Sequence, residues 1–165
     1  SPTTLTAANE TTEEGSIFRT PPHNVEAEKA LLGAIFINNR AYENVSEFLK
    51  PQHFALPIHG RIFEAVQRLV EHGQIADTVT LRHSFEQDAQ LADIGGAKYL
   101  ADLADSAVTV INAVEYGRLI RDLHLKRELI DLGGEMVNRA YGGADEEKFP
   151  SSKKNIPYGG GQAIL

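Results

Sequence analysis

Residues 21–38 read PPHNVEAEKALLGAIFIN, and this run decides the fold class. Asn24 stands where a side-chain oxygen can accept the first free backbone N–H groups of a helix. Glu26 and Glu28 follow in the first turn, where the helix dipole favours negative charge. Ala27, Ala30, Leu31, Ala34 and Ile35 then recur at spacings of three and four, which lays one apolar stripe along a helix. A strand would need alternation at every second residue, and the run has none.

The same period continues downstream. A short helix is expected from Ala41 to Leu49, closed before Pro51. The next begins near Pro57, since proline suits a first turn, and turns Ile58, Ile62, Phe63, Val66, Leu69 and Val70 inward. Gly73 sits where a left-handed cap belongs. Thr80 is the expected cap of a helix through Phe85, and Gly95–Gly96 opens another that carries Tyr99, Leu100 and Leu103. These segments predict an all-α chain with a compact multi-helix globular head.

The last helix is different in kind. Asn112 can cap it, and no proline interrupts it before Gly142–Gly143. About 30 residues at a rise of about 1.5 Å give a rod of about 45 Å, too long for one face of a small globule. Two apolar rows run along it. One follows Tyr116, Ile120, Leu123, Ile130, Val137 and Tyr141; the other follows Leu119, Leu125, Leu129, Leu132 and Met136. Arg118, Arg121, Lys126, Arg127 and Arg139 are balanced by Glu115, Asp122, Glu128, Asp131 and Glu135, which describes a solvated back with an apolar contact face. Either both rows are satisfied inside this chain, or part of the rod packs on another helix. On the second reading, Tyr116, Ile120, Leu123, Ile130, Val137 and Tyr141 form the candidate self-association face. Gly133–Gly134 would then mark a kink or a close helix–helix approach.

Composition divides the chain accordingly. Residues 1–20 are rich in Thr, Glu and Ser and read as a disordered tail. Residues 21–108 form the head and 109–143 the long helix. Residues 144–165 collapse into acidic, Lys/Ser/Pro and Gly-rich fragments and read as an irregular tail.

Charge and composition restrict the function. The net charge is −7, whereas proteins that grip nucleic acid usually carry a basic face. Pro22 to Gly143 holds 12 basic and 17 acidic side chains, so a partner protein is expected rather than DNA. There is no cysteine, which excludes disulfides, thiolate metal sites and a cysteine nucleophile. No apolar run approaches the roughly 20 residues of a membrane span, and no signal-peptide core opens the chain. A cytoplasmic placement without membrane contact is expected.

The motif search finds no catalytic, cofactor-binding or metal-binding constellation. Gly95-Gly96-Ala97-Lys98 is followed by Tyr99, so the hydroxyl that a phosphate-binding loop offers to magnesium is missing. His23, His53, His59, His72, His83 and His124 form no His-x-x-x-His pair suited to zinc. His59, at the start of an amphipathic helix, reads as a hydrogen-bonded structural histidine, and His124 as exposed. Glu86/Asp88 and Asp102/Asp105 read as solvated acids rather than an acid/base pair.

The run at 21–38 closely resembles the opening of DnaB-type replicative helicases, with its Pro-x-Asn-x-Glu-Ala-Glu phrase leading into Leu-Leu-Gly. FLKPQHFALPIHGRIFEAV (48–66) keeps the spacing of Pro51, Phe54, Pro57, His59, Ile62 and Phe63. DTVTL (77–81), GGAKYLADLADSA (95–107) and then Asn112, Tyr116 and Ile120 extend the likeness, which covers about residues 21–143. It implies a helical head followed by the first arm of a helical hairpin, a non-catalytic collar on a hexameric ring. Such a collar stabilises the hexamer and docks primase, with a helicase loader as a further partner. ATP and magnesium would belong to a separate motor domain. The resemblance departs at KFPSSKKNIPYGGGQAIL (148–165), which has no apolar stripe and contains Pro150 and Pro157. This tail reads as non-native or divergent, with the second arm lost or replaced. The alternatives are the helicase-interacting helical domain of a primase and an unrelated helical interaction module.

Overall fold

The computed structural model of the chain describes residues 19–143. The expected tail at 1–20 lies outside them but for Arg19 and Thr20, and the irregular tail at 144–165 lies wholly outside. Among the described residues the chain is all-α, as its periodicity predicts, with seven α-helices, one 3-10 turn and no strand. In order these are α1 (Val25–Ile37), α2 (Arg40–Val45), the 3-10 turn Pro51–His53, α3 (Pro57–Glu71), α4 (Thr78–Ser84), α5 (Ala89–Asp93), α6 (Ala97–Asp105) and α7 (Val110–Ala140).

Asn24 caps α1 as its position suggests, its Oδ1 accepting from the Ala27 N–H at 2.9 Å. The helix is not amphipathic, however. Leu32, Gly33 and Phe36 are buried along with the expected stripe, because α2, α3 and α6 all pack against it. Burying a helix on several sides requires small residues where backbones meet. Gly33 supplies this: a Cβ there would stand 1.9 Å from the Leu103 carbonyl oxygen of α6. The core around this contact is aliphatic and aromatic, with Leu31, Leu32, Ile35, Leu49, Ile62, Phe63, Leu81, Leu100, Leu103 and Ile120 all sealed from solvent.

Other elements follow from local chemistry. α3 starts on Pro57 and ends in a Schellman cap, with Gly73 at φ 73° and the Gln74 N–H donating to the Leu69 carbonyl at 2.8 Å. Along it Ile58, Ile62, Phe63 and Val66 are buried, while Leu69 and Val70 are half-buried. Two caps fall earlier than the sequence suggests. Asp77, not Thr80, caps α4: its carboxylate accepts from the Val79 and Thr80 N–H groups, and the Thr80 hydroxyl accepts from the Asp77 N–H. Thr109, not Asn112, begins α7, its hydroxyl accepting from the Asn112 N–H at 3.3 Å. The five-residue α5 was not expected.

The described chain divides into two units, the first running through Arg127 and the second beginning at Glu128. The first unit therefore extends past the head boundary drawn at 108. The physical reason is that Ala113, Gly117 and Ile120 of α7 are buried, with Gly117 against Val45 and the Phe48 ring. In the second unit α7 continues through Gly133–Gly134 without a break.

Candidate interaction site

The six residues of the candidate self-association face do not share one environment. Ile120 is 1% exposed and belongs to the core of the first unit, and Tyr116 packs against that core. Leu123 is half-buried. Tyr116 and Ile120 are turned to the chain's own core, so the row is not one outward surface. Ile130, Val137 and Tyr141 are instead 54%, 57% and 86% exposed. Leu129 and Met136 of the second row are also more than half exposed. Most of the apolar surface that α7 leaves uncovered thus lies beyond Arg127, with Ile111 and Leu125 exposed before it. Five large apolar side chains between Leu129 and Tyr141 exceed the scattered exposure normal for a solvated helix.

A buried polar network lies within the first unit, formed by Glu28, His59 and Tyr99. Glu28, in the first turn of α1, is 1% exposed. Its carboxylate accepts from the Ala55 N–H at 2.7 Å and sits 2.8 Å from His59 Nδ1. Tyr99 Oη hydrogen-bonds His59 Nε2. His59 is therefore the hydrogen-bonded structural histidine expected, with both ring nitrogens engaged. Burial, then the Glu28 and Glu26 carboxylates, pushes the Tyr99 phenol above its ordinary value. A raised phenol pKa opposes nucleophilic use, which needs a lowered one. The arrangement resembles a catalytic relay in its connectivity but acts as a clamp, tying α1, the loop at 54–56, α3 and α6 together. Its signal was present in the sequence: Glu28 stands at i−3, i−4 and i−7 from Leu31, Leu32 and Ile35, inside the apolar pattern.

Three further residues differ from their expected roles. His124 is half-buried, its ring 4.8 Å from that of His53, because the end of the 3-10 turn faces α7 there. Arg127 donates to the Pro22 and His53 carbonyls, both at 2.8 Å. Asp88 caps α5 through the Leu91 N–H and pairs with Arg61 at 3.0 Å. The Leu91 N–H first, and then the Arg61 guanidinium, hold its carboxyl below the usual range. Among the described residues no group of three His, Cys, Asp or Glu is arranged to hold a metal ion, and no helix is long and apolar enough to cross a membrane.

A helical head of this kind, continued by a long helix with an uncovered apolar end, has counterparts among known proteins. The family model of the DnaB-like helicase N-terminal domain matches residues 20–122. This chain belongs to that family. The DnaB-like assignment agrees with the resemblance at 21–143 and decides against the alternatives. The chain is 48% identical over 126 residues to the replicative DNA helicase DnaB of Rickettsia typhi, covering 76% of this chain and 25% of that protein. It is 36% identical over 128 residues to that of Geobacillus stearothermophilus, covering 78% and 28%. The crystal structure of the N-terminal domain of DnaB helicase from Mycobacterium tuberculosis superposes with a TM-score of 0.70 at 32% identity, over 76% of this chain and 91% of that one. The chain spans about a quarter of the length of these curated DnaB relatives.

Proposed function

We propose that this DnaB-like domain is a non-catalytic collar of a replicative helicase, which helps assemble and stabilise the ring and offers primase, and a helicase loader, a docking surface. ATP and magnesium chemistry would reside in a motor domain, and the domain would work in the cytoplasm without gripping DNA itself. The observation that carries this reading is the apolar end of α7, where Leu129, Ile130, Met136, Val137 and Tyr141 lie exposed. Surface of that kind on a helix end is covered by another helix, from a second copy or from a hairpin partner. The acidic balance of the chain supports protein partners over nucleic acid.

Sedimentation velocity tests the assembly role. The wild type is expected to self-associate at micromolar concentration, and Ile130→Asp with Val137→Asp to yield a monomer that keeps its helical circular dichroism. A wild type that stays monomeric at the highest soluble concentration would remove the assembly role. Adding purified primase to the same samples tests docking, and incubation with ATP and single-stranded DNA is expected to give no turnover.

A further inference from the structure

The middle of α7 and the 3-10 turn bring Lys50, His53, Arg121, His124 and Arg127 together within the first unit. The geometry is ordered by hydrogen bonds. The Lys50 backbone N–H donates to His53 Nδ1 at 2.9 Å, so the neutral ring keeps its proton on Nε2 and presents a donor there. Arg127 holds the same turn from the other side through the His53 carbonyl. Burial, then His124, Arg121, Lys50 and Arg127, lowers the His53 pKa to about 4, and every charged group acting on this ring is basic. Lys50 and Arg121 are exposed. In a chain with net charge −7, a local surplus of cations is the exception that an anionic partner would find.

We propose that Lys50, His53, Arg121 and Arg127 form a docking site for an acidic segment of a partner protein, whose carboxylates take the Arg121 and Lys50 side chains and the His53 Nε2–H. Carboxylates suit the site because a guanidinium fork donates two parallel N–H bonds to the two oxygens of one carboxylate. A nucleic-acid strand suits it less. Three permanent cations release few counterions, and Phe54, the aromatic residue next to His53, is buried and offers no face for base stacking. A metal ion is also disfavoured, since His53 Nδ1 is already occupied by the Lys50 N–H. The site shares no residue with the uncovered end of α7, so it stands whether or not that end drives assembly.

The test is fluorescence anisotropy of labelled hexaglutamate with the full chain at low ionic strength. Wild type should bind, and Lys50→Glu with Arg121→Glu should weaken binding about tenfold or more. Arg40→Glu with Arg82→Glu, an equal charge change at exposed residues elsewhere, should change it less than about threefold. Should the first pair disturb the fold by circular dichroism, Arg121→Gln alone is the substitute and should still weaken binding. Equal losses in both pairs, no binding by wild type, or tighter binding of hexathymidylate than of hexaglutamate would each overturn the proposal.

Discussion

His59 Nδ1 lies 2.8 Å from a carboxylate oxygen of Glu28, across 31 positions of sequence, and neither side chain reaches solvent. A buried carboxylate of this kind is stable only while all its partners remain. Glu28→Ala strands the Ala55 N–H and His59 together and should cost about 3–5 kcal/mol, the range for breaking a buried pair. Glu28→Gln keeps one acceptor oxygen and should cost less. Urea denaturation of the two variants against wild type measures the difference, and equal stability of all three would remove the clamp.

Gly33 offers a prediction whose sign opposes propensity. Inside a helix, Gly→Ala normally stabilises by about 1 kcal/mol. Here the added Cβ would meet the Leu103 carbonyl oxygen at 1.9 Å and the Ala107 nitrogen at 2.9 Å, both backbone atoms that cannot rotate away. Gly33→Ala should therefore destabilise by about 3 kcal/mol, the upper range for overpacking. A thermal midpoint at or above that of wild type would show that α1 and α6 can separate at no cost.

These two residues also show what the sequence could and could not reveal. The helices were legible because Leu31, Ile35, Ile62 and Val66 recur at the helical period, and the ends at Asn24 and Gly73 because their chemistry suits only a terminus. The caps at Asp77 and Thr109 lie three residues before Thr80 and Asn112, the positions that the sequence suggests. Several polar residues stand near each start, and only the path of the preceding loop decides which one leaves helical geometry. The five residues of α5 are too few to express a period. Burial on several sides of α1, and the reach of the core as far as Ile120, depend on contacts between distant segments. The candidate face on α7 was legible as an apolar row, but not which half of the row the chain itself covers.

The His53 pKa of about 4 makes stability pH-dependent. Burial first, and then the neighbouring cations, favour the neutral ring, so the native state binds fewer protons than the unfolded chain between the ordinary histidine value and about 4. The contribution is fully present above about pH 6.5 and is lost as pH falls from there towards about 4. Unfolding free energies measured by urea between pH 7.5 and 4.5, intervals of roughly one unit being sufficient, should fall more steeply for wild type than for His53→Asn. Parallel pH profiles would show that His53 is as easily protonated in the fold as outside it.

Ile120 and Val137 belong to one sequence row but should respond oppositely to the same substitution. Ile120→Asp places a charge in a core position that is 1% exposed and should cost about 4 kcal/mol or more. Val137→Asp falls at a position 57% exposed and should leave monomer stability within about 0.5 kcal/mol. Measuring both in dilute solution, below any self-association, separates folding from assembly. Comparable destabilisation by the two would mean that the end of α7 is covered within the monomer.

Gly133 and Gly134 carry this separation one step further. An added Cβ at either meets nothing within 4 Å, so the described chain gives no packing reason for glycine there. Gly133→Ala with Gly134→Ala should then stabilise the helix in the monomer by up to about 1 kcal/mol per site. If a partner helix approaches closely at this pair, the same two methyl groups must obstruct it. The expected result is a higher thermal midpoint in dilute solution together with weaker self-association by sedimentation. A gain in stability with undiminished self-association would place the partner helix on another side of α7.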